Sequence, residues 1–302
     1  MKKSSKIIIL IVSCVLIALL AALATFACYL PRYLADKEKF DISKKENGEE
    51  ITAMSFNIRC AAPGDLFKEG WFYRAGLVKQ VVSEVMPDVI GFQEVNVAHE
   101  KYLRGHLAGY DFFVAYRTDD VFKEGMLLAF RSDRFEALDS WRFWLSETPE
   151  KKSKDWNTGS YRVAAYVVLK DKTTGKTFTA MDTHLDNASP EARAKGMEVI
   201  FEQKEKLGID TLVLLGDMND YEGSPMYLTA TEKLVDARSV APSAYDGPGS
   251  TWHDFGRRLN GKRIDFFFVS PEVTVKSYSV FDKTYDGVYP SDHFPLAIRF
   301  VL

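Results

Sequence analysis

The sequence predicts a layered α/β domain that follows one N-terminal transmembrane helix. Three observations support this prediction. Residues Ile7–Leu30 carry no charged side chain, short β-type apolar runs alternate with helical patterns after residue 50, and 46% of the 302 residues are hydrophobic while 27% are charged. This composition is typical of a folded domain, and it excludes a disordered chain, a collagen-like repeat and a polytopic membrane protein.

The apolar segment is long enough to cross a membrane. Its 24 residues would form a helix about 36 Å long, and a bilayer core is about 30 Å thick. Lysines stand at positions 2, 3 and 6, whereas the other flank mixes both charge signs, so we expect residues 1–6 to be cytoplasmic. The rest of the chain would then lie outside the cytoplasmic membrane.

A cleaved signal peptide is the alternative interpretation, because Ala22-Leu23-Ala24 resembles a cleavage site behind a basic N-terminal region. The uncleaved anchor is favoured because the apolar run exceeds the roughly 7–15 residues that are usual in a signal peptide. Both interpretations export the domain. Cys60 is the only cysteine outside the apolar segment, so the exported part can form no internal disulfide.

A polar linker is predicted between the membrane helix and the domain. Residues 31–50 are rich in charged side chains and show no periodic apolar pattern, which is typical of a tether. The domain is expected to cover residues 51–302. Its 252 residues are enough for one sizeable core, and we expect a monomer held by a single helix.

Apolar periodicity locates the main elements of this domain. Two segments have helical patterns: Arg74–Met86 and Glu191–Leu207. Eight segments have strand patterns: Ile51–Phe56, Val89–Phe92, Met126–Phe130, Arg162–Leu169, Lys176–Asp182, Thr211–Leu215, Arg263–Ser270 and Val273–Val280. We expect the last two to be antiparallel neighbours, with Leu296–Val301 closing their sheet. The alternation of both element types predicts an α/β architecture.

Polar side chains collect at the ends of these apolar runs. They are Asn57, Gln93, Glu94, Asp182, His184, Asp217, Asn219, Asp265, Asp292 and His293. Strand ends are where open α/β sheets build sites. Carboxylates such as Glu94 and Asp292 suit Mg²⁺, which keeps several waters and binds phosphate oxygens. A histidine such as His293, oriented by an acid such as Asp265, suits proton transfer at neutral pH.

Six motifs that contain these residues give the sequence a family resemblance. SFNIR, GFQEV, THLD, GDMND, RIDFFFVS and PSDHFP occur in this order between residues 51 and 302. Together they resemble the endonuclease/exonuclease/phosphatase superfamily, which includes pancreatic-type DNases, abasic-site endonucleases, neutral sphingomyelinases and inositol-polyphosphate phosphatases. The resemblance implies a four-layer α/β sandwich, with two mixed sheets packed face to face and flanked by helices. It also implies metal-dependent hydrolysis of phosphoesters.

The resemblance also assigns a metal site. Asn57, Glu94 and Asp292 would form it, with Glu94 as the principal carboxylate ligand. Mg²⁺ is the expected ion, and Mn²⁺ is an alternative because it accepts the same oxygen ligands.

Four further residues would act on the attacking water. Asp217 and Asn219 would orient the water and a phosphate oxygen. His293 would be the general base or a stabiliser of the in-line transition state, and Asp265 would hold its ring.

A second group of residues would contact the substrate. His184 would hydrogen-bond the phosphate or protonate the leaving oxygen, and Glu124 is a plausible partner for its ring. A further resemblance to a bacterial subgroup, carried by WFYR and FWLSETP, suggests that Trp144, Trp156 and Arg162 line the pocket. Aromatic faces and a guanidinium suit a sugar or base beside a phosphate. FWLSETP is equally compatible with a plain strand and turn.

Charge bears on the substrate. If the three N-terminal lysines are left out, 36 of the 39 basic residues remain against 42 acidic ones, which gives a net charge of −6. Duplex DNA binders usually present a basic surface, so this balance weakens the nuclease interpretation. Nucleic acid, a phospholipid headgroup and a small phosphodiester all remain as substrate classes. The alternative function is a catalytically inactive, membrane-anchored binding module of the same fold.

Overall fold

The computed structural model describes residues 3–62, 64–121 and 123–302. The helices are α1 (Lys3–Ala35), α2 (Trp71–Val85), α3 (Val97–His106), α4 (Pro190–Lys206), α5 (Pro225–Lys233) and α6 (Ala237–Val240). Short 3₁₀ turns cover Ile42–Lys44 and Phe67–Glu69. Both helices predicted from periodicity are therefore present, as α2 and α4. The Ile7–Ala35 part of α1 contains an 18-residue window with a mean hydropathy of 3.3, so it is long and apolar enough to span a membrane.

The strands form two large mixed sheets and one short pair. In chain order they are β1 (Phe40–Asp41), β2 (Ile51–Asn57), β3 (Val89–Asn96), β4 (Leu107–Ala108), β5 (Tyr110–Tyr116), β6 (Glu124–Arg131), β7 (Phe135–Trp144), β8 (Val163–Asp171), β9 (Thr177–His184), β10 (Leu212–Asp217), β11 (Val235–Asp236), β12 (Ala244–Tyr245), β13 (Asp265–Val269), β14 (Thr274–Val280) and β15 (Leu296–Val301). One sheet has the order β11-β13-β10-β9-β8-β7, and the other has the order β12-β14-β15-β2-β3-β6-β5.

The two sheets pack face to face around a shared apolar core. Side chains of both sheets, such as Ala53 and Leu128 from one and Val167 and Phe267 from the other, belong to a single buried cluster. The outer face of the six-stranded sheet is covered by α4 and α5, and that of the seven-stranded sheet by α2 and α3. This order of helices, sheet, sheet and helices confirms the predicted four-layer sandwich.

Alternation along the strands explains why both faces of each sheet are apolar. In β8, Val163, Ala165 and Val167 face the central core, whereas Ala164 and Tyr166 belong to the outer core under α4. Successive strand residues point to opposite faces, so a strand covered on both sides must be apolar throughout.

The expected pairing of the last strands is wrong. β13 lies in the six-stranded sheet beside β10, whereas β14 lies in the seven-stranded sheet beside β15. The short connection after Val269 therefore crosses from one sheet to the other. Both strands still face the same central core, which is why their apolar patterns could not reveal the crossing. β15 also lies inside its sheet, between β14 and β2, rather than at its edge.

The segment predicted as a tether packs against the domain. α1 continues to Ala35, β1 pairs with β4, and Ile42 is fully buried in the core beneath α2 and α3. The side chain of Asp36 accepts hydrogen bonds from Lys79 of α2. A polar composition therefore did not imply a free segment here, because the charged side chains have partners in the domain.

A buried ionic cluster fixes the end of this segment to both neighbouring strands. Asp88 is fully buried, and its carboxylate lies 2.8 Å from the Lys45 ammonium and 3.0 Å from the Arg131 guanidinium. Arg134 lies 3.4 Å away, and the backbone N–H of Thr52 donates to the same carboxylate. Loss of this one anion would leave buried cations without adequate compensation.

We therefore expect Asp88→Asn to lower the free energy of unfolding by about 3 to 5 kcal/mol. The matched control is Asp246→Asn, whose ion pair with Arg238 is more than a third exposed on both sides and contributes less than about 1 kcal/mol. Urea unfolding of the full chain in detergent, followed by tryptophan fluorescence, measures both changes. Equal destabilisation by the two substitutions would contradict this assignment.

Candidate active site

The predicted site residues meet at one end of the two sheets. Asn57, His184 and Asp217 are the last residues of β2, β9 and β10. Asp265 begins β13, which is antiparallel to β10 and therefore starts at the same edge. His184, Asp217 and Asp265 are register neighbours on three adjacent strands. The loop before β15 brings Asp292 and His293 to this edge from the other sheet.

A β-bulge aims Glu94 into the site. The pairing of β3 with β6 shifts register between Phe92 and Val95, and Glu94 has a φ of 61°. This left-handed conformation is unfavourable for a residue with a side chain, and such strain is found where a bulge redirects a functional group. The Glu94 carboxylate accepts hydrogen bonds from the Asn57 amide at 3.1 Å and from the Cys60 backbone at 2.8 Å.

Glu94 and Asp292 form the acidic side of the site. Burial opposes ionisation of Glu94, but the Cys60 N–H and the His293 charge outweigh it, so the pKa of Glu94 is lowered. Burial raises the pKa of Asp292, and the negative charge of Glu94 adds to this rise. The Arg59 guanidinium lies 3.8 Å from the Asp292 carboxylate. A partly buried and a buried carboxylate that repel each other are a fitting donor set for a hard divalent cation.

Asp217 connects this acidic side to both histidines. Its Oδ2 accepts a hydrogen bond from the Asn57 amide at 3.0 Å and lies 3.4 Å from His184 Nε2 and 3.7 Å from His293 Nε2. Its Oδ1 accepts the backbone N–H of Asn219. Burial raises the pKa of Asp217, and the charge of Asp265 raises it further. Asp217, Asp265 and His293 also form a buried cluster whose ligand atoms lie within 4.8 Å of one another.

The ring of His293 is held by Asp265, as predicted from the sequence. Nδ1 lies 3.0 Å from Asp265 Oδ2. Burial alone would lower the pKa of His293, but Asp265 and Asp217 outweigh burial and raise it. The imidazole is therefore held in its charged form at neutral pH. Asp265 is itself fixed by the Thr251 hydroxyl, which accepts its backbone N–H.

His184 lies in a different environment. Burial, together with the nearby charges of Arg162 and Arg117, lowers its pKa well below the ordinary value, so this ring is neutral. The expected partner, Glu124, does not hold it. The Glu124 carboxylate instead pairs with the Arg117 guanidinium at 2.9 Å, because Arg117 and Glu124 face each other across the β5–β6 hairpin.

A small cavity beside His184 is lined by both arginines. Arg117, Glu124, Arg162 and His184 belong to its wall. Arg162 is only 6% exposed, yet its Nε has no hydrogen-bond partner among the described residues. Its nearest acid, Asp186, is 3.5 Å away and already accepts several backbone N–H groups. The Arg162 Nη2 donates to Asn187 Oδ1 at 3.4 Å, so Nε is the group of this guanidinium that lacks a hydrogen-bond acceptor in the described part of the chain.

The two tryptophans predicted to line the pocket pack elsewhere. Trp144 packs against the central core, and Trp156 packs against the outer core under α4. Trp144 pairs with Val163 across β7 and β8, and Val163 directly follows Arg162 in the chain. Trp144 is nevertheless not part of the cavity wall. The FWLSETP segment is therefore the end of β7 and the turn that follows it.

Sequence reasoning missed three arginines. Arg59 was visible in the SFNIR motif and Arg74 in WFYR, whereas nothing in the sequence around Arg117 pointed to the site. The fully buried Arg74 donates to the backbone carbonyls of Ile58 and Pro290 at 2.7 and 2.9 Å. It thereby joins the chain after Asn57 to the loop that carries Asp292.

Comparison with known proteins gives this arrangement a family. Residues 54–293 match the model of the Endonuclease/Exonuclease/phosphatase family. The chain belongs to this family. Members of this family are phosphoester hydrolases that generally use divalent metals. The fold and the buried acidic cluster of this chain agree with that chemistry.

Several individual relatives are similar over most of the domain. A family structure from Bacteroides vulgatus is 34% identical, with a TM-score of 0.79, and the match covers 84% of this chain and 99% of that one. A mannosyl-6-phosphatase structure from Bacteroides thetaiotaomicron is 29% identical, with a TM-score of 0.74 and coverage of 83% and 100%. Nocturnin of Drosophila melanogaster is 25% identical over 77% of this chain, which spans 42% of that protein's length.

The Asp265–His293 pair makes a measurable prediction. Asp265→Asn removes the nearest negative charge, so the pKa of His293 should fall by about 1 to 3 units. The check is a pH titration of the histidine ¹⁵N resonances in metal-free protein. Asp282→Asn, whose carboxylate bonds the exposed Tyr245 hydroxyl, is the control and should leave His293 unchanged. An unaltered His293 titration in Asp265→Asn would refute the electrostatic role given to Asp265.

Proposed function

We propose that this protein is a metal-dependent phosphoester hydrolase anchored in the cytoplasmic membrane, with its N-terminus inside and its catalytic domain outside. The observation that supports it best is the convergence of the Glu94 and Asp292 carboxylates on one side of Asp217 with the Asp265–His293 pair on the other. Mg²⁺, or Mn²⁺ with the same ligands, would be held by Glu94 and Asp292, with Asn57 beside them. When bound, such an ion polarises the phosphoryl group.

Asp217 would accept the proton of the attacking water. Burial and the charge of Asp265 raise its pKa from the ordinary value, towards the range in which a general base is most effective. Asn219 lies beside it, with its backbone N–H on Asp217 and its side-chain amide on the Leu185 carbonyl. The pair would orient the water and a phosphate oxygen.

The two histidines would have different roles. His293, charged through Asp265 and Asp217, would stabilise negative charge that develops on the phosphoryl oxygens. This environment favours the stabiliser over the general base among the roles predicted for it. His184, held neutral, would donate a hydrogen bond to the phosphate rather than serve as the acid that protonates the leaving oxygen.

The two guanidinium groups beside His184 favour an anionic group of the substrate at this point, where the cavity itself, about 10 Å³, has room for about one water molecule. Arg117 and Arg162 place two guanidinium groups next to the ring that would contact the phosphate. A sugar phosphate or a lipid headgroup needs only such a local pair of cations, whereas duplex DNA usually needs an extended basic surface. The similarity to a mannosyl-6-phosphatase supports a sugar phosphate as a test substrate.

Catalysis is tested with the generic diester bis-p-nitrophenyl phosphate and the monoester p-nitrophenyl phosphate. We expect turnover with Mg²⁺ or Mn²⁺, loss with EDTA, and a decrease in kcat of at least about 100-fold in Asp217→Ala and His293→Ala. Asp246→Asn is the surface control. Folded protein without metal-dependent turnover on either compound, or on sugar phosphates, nucleic acids and phospholipids, would favour the inactive binding module.

A further inference from the structure

The C-terminal part of α1 contacts the catalytic domain along one helical face. Thr25 is 7% exposed, and Tyr29, Tyr33 and Asp36 follow it at spacings of four, four and three residues and are partly buried. Residues with these spacings lie on one side of a helix. Residues 7–20, by contrast, are exposed on every side. The helix therefore has an unpartnered first part and a second part that packs against the domain.

Aromatic side chains form most of this contact. Three from the helix meet three from α2 and α3: Phe26 with Phe72 at 4.9 Å, Tyr29 with Tyr73 at 5.1 Å, and Tyr33 with Phe72 at 5.1 Å and with Tyr102 at 5.3 Å. Edge and stacked pairs at these centroid distances are favourable geometries, each contributing about 0.5 to 1.5 kcal/mol beyond burial.

Polar contacts fix the two ends of the same interface. At one end, the backbone N–H of Phe67 donates to the Thr25 hydroxyl at 3.0 Å. At the other, the Asp36 carboxylate accepts from the Tyr102 hydroxyl at 2.6 Å and from Lys79 at 2.9 Å. These bonds set the position of the helix along its axis, which aromatic packing alone would leave less defined.

The domain loop that touches Thr25 is also the loop that leaves the active site. It starts after Asn57, and the Arg59–Asp65 ion pair, with 2.9 Å between its atoms, closes it. Arg59 also lies 3.8 Å from Asp292. The described loop residues, 58–62 and 64–70, therefore connect the proposed metal site with the anchor helix.

Helix length places this loop at the membrane surface. A hydrocarbon core of about 30 Å corresponds to about 20 helical residues, so a span that begins at Ile7 leaves the core near Ala27. Thr25 then lies two residues, about 3 Å, on the acyl-chain side of this boundary, so the loop bonded to it reaches the border between acyl chains and headgroups. The loop presents Phe67, which is 51% exposed, next to Lys68. An apolar ring beside a cation suits the interface between acyl chains and anionic headgroups.

We propose that residues Thr25–Asp36 form a docking segment that holds the catalytic domain directly on the outer leaflet, and that the substrate is a phosphoester in the headgroup layer. This proposal rests on the proposed hydrolase function and membrane anchor. Phe72 packs against Phe26 and Tyr33 of the docking segment, and Phe67 contacts the lipid. A soluble phosphoester is the competing substrate class.

Disulfide formation tests the docking itself. Cys14, Cys28 and Cys60 are first replaced by Ser in the full chain. A Cβ at Gly70 would lie 3.6 Å from Thr25 Cγ2, which brings Thr25→Cys and Gly70→Cys within disulfide range. The control pair is Leu23→Cys with Gly70→Cys, because Leu23 is on an exposed face. In phosphatidylcholine vesicles with phosphatidylglycerol, the first pair should oxidise readily and the control should retain its thiols, as counted by maleimide labelling.

Equal oxidation of the two pairs would overturn the docking. This measurement needs no turnover, so it remains decisive even if the proposed hydrolase function fails.

Kinetics test the substrate class with two compounds that share one scissile bond. Hexadecyl p-nitrophenyl phosphate is embedded in the same vesicles, and ethyl p-nitrophenyl phosphate is in solution. We expect kcat/KM to favour the embedded compound by about tenfold or more, because enzyme and substrate then share one surface. The undocked variant Phe26→Ser/Tyr29→Ser/Tyr33→Ser should lose this preference and keep its turnover of the soluble compound.

A preference for the soluble compound, or an equal loss on both compounds in the undocked variant, would contradict presentation at the membrane surface. Absence of turnover on both compounds would refute a diester substrate in the headgroup layer. The hydrolase function itself is decided by the assays with the generic diester and monoester, and the disulfide result would still decide the docking.

Discussion

The side-chain amide of Asn57 joins the two sheets at the active site. Its Nδ2 donates to Glu94 in its own sheet and to Asp217 in the opposite sheet, and its Oδ1 accepts the backbone N–H of Arg59. The acidic pair of Glu94 and Asp292 and the histidine side of the site are therefore positioned relative to each other by one residue. Such a bridge requires sheet ends that do not move apart, and the continuous core between the sheets meets this requirement.

Two carboxylates of the site, Asp217 and Asp292, are held where ionisation is unfavourable, and the surrounding fold keeps them there. Burial and Asp265 raise the pKa of Asp217, and burial and Glu94 raise that of Asp292. Glu94 also has a left-handed backbone conformation. Groups held in this way are already placed for chemistry, because little reorganisation remains when charge develops on a substrate. The loop that follows Asn57 and accepts hydrogen bonds from Arg74 connects this site to the anchor helix.

The fold and most of the site were predictable from the sequence, for identifiable physical reasons. Asn57, Glu94 and Asp217 each follow an apolar run, and a polar residue at a strand end is visible without knowledge of the tertiary structure. Partners were harder to predict, because they depend on packing. Glu124 pairs with Arg117 across a hairpin that the sequence did not show, and the pairing of β14 depends on a crossing between sheets. The packing of Asp36 and Ile42 was hidden by the polar residues around them.

Metal binding tests the central claim most directly, because the account places one divalent ion between Glu94 and Asp292. Mn²⁺ titration of the full chain, followed by electron paramagnetic resonance, should show one bound ion per chain. Glu94→Gln should weaken this binding by more than the roughly 10-fold that is typical when an outer-shell partner is lost. The surface variant Asp246→Asn should bind as the wild type does. Equal Mn²⁺ affinity in Glu94→Gln and the wild type would contradict the account.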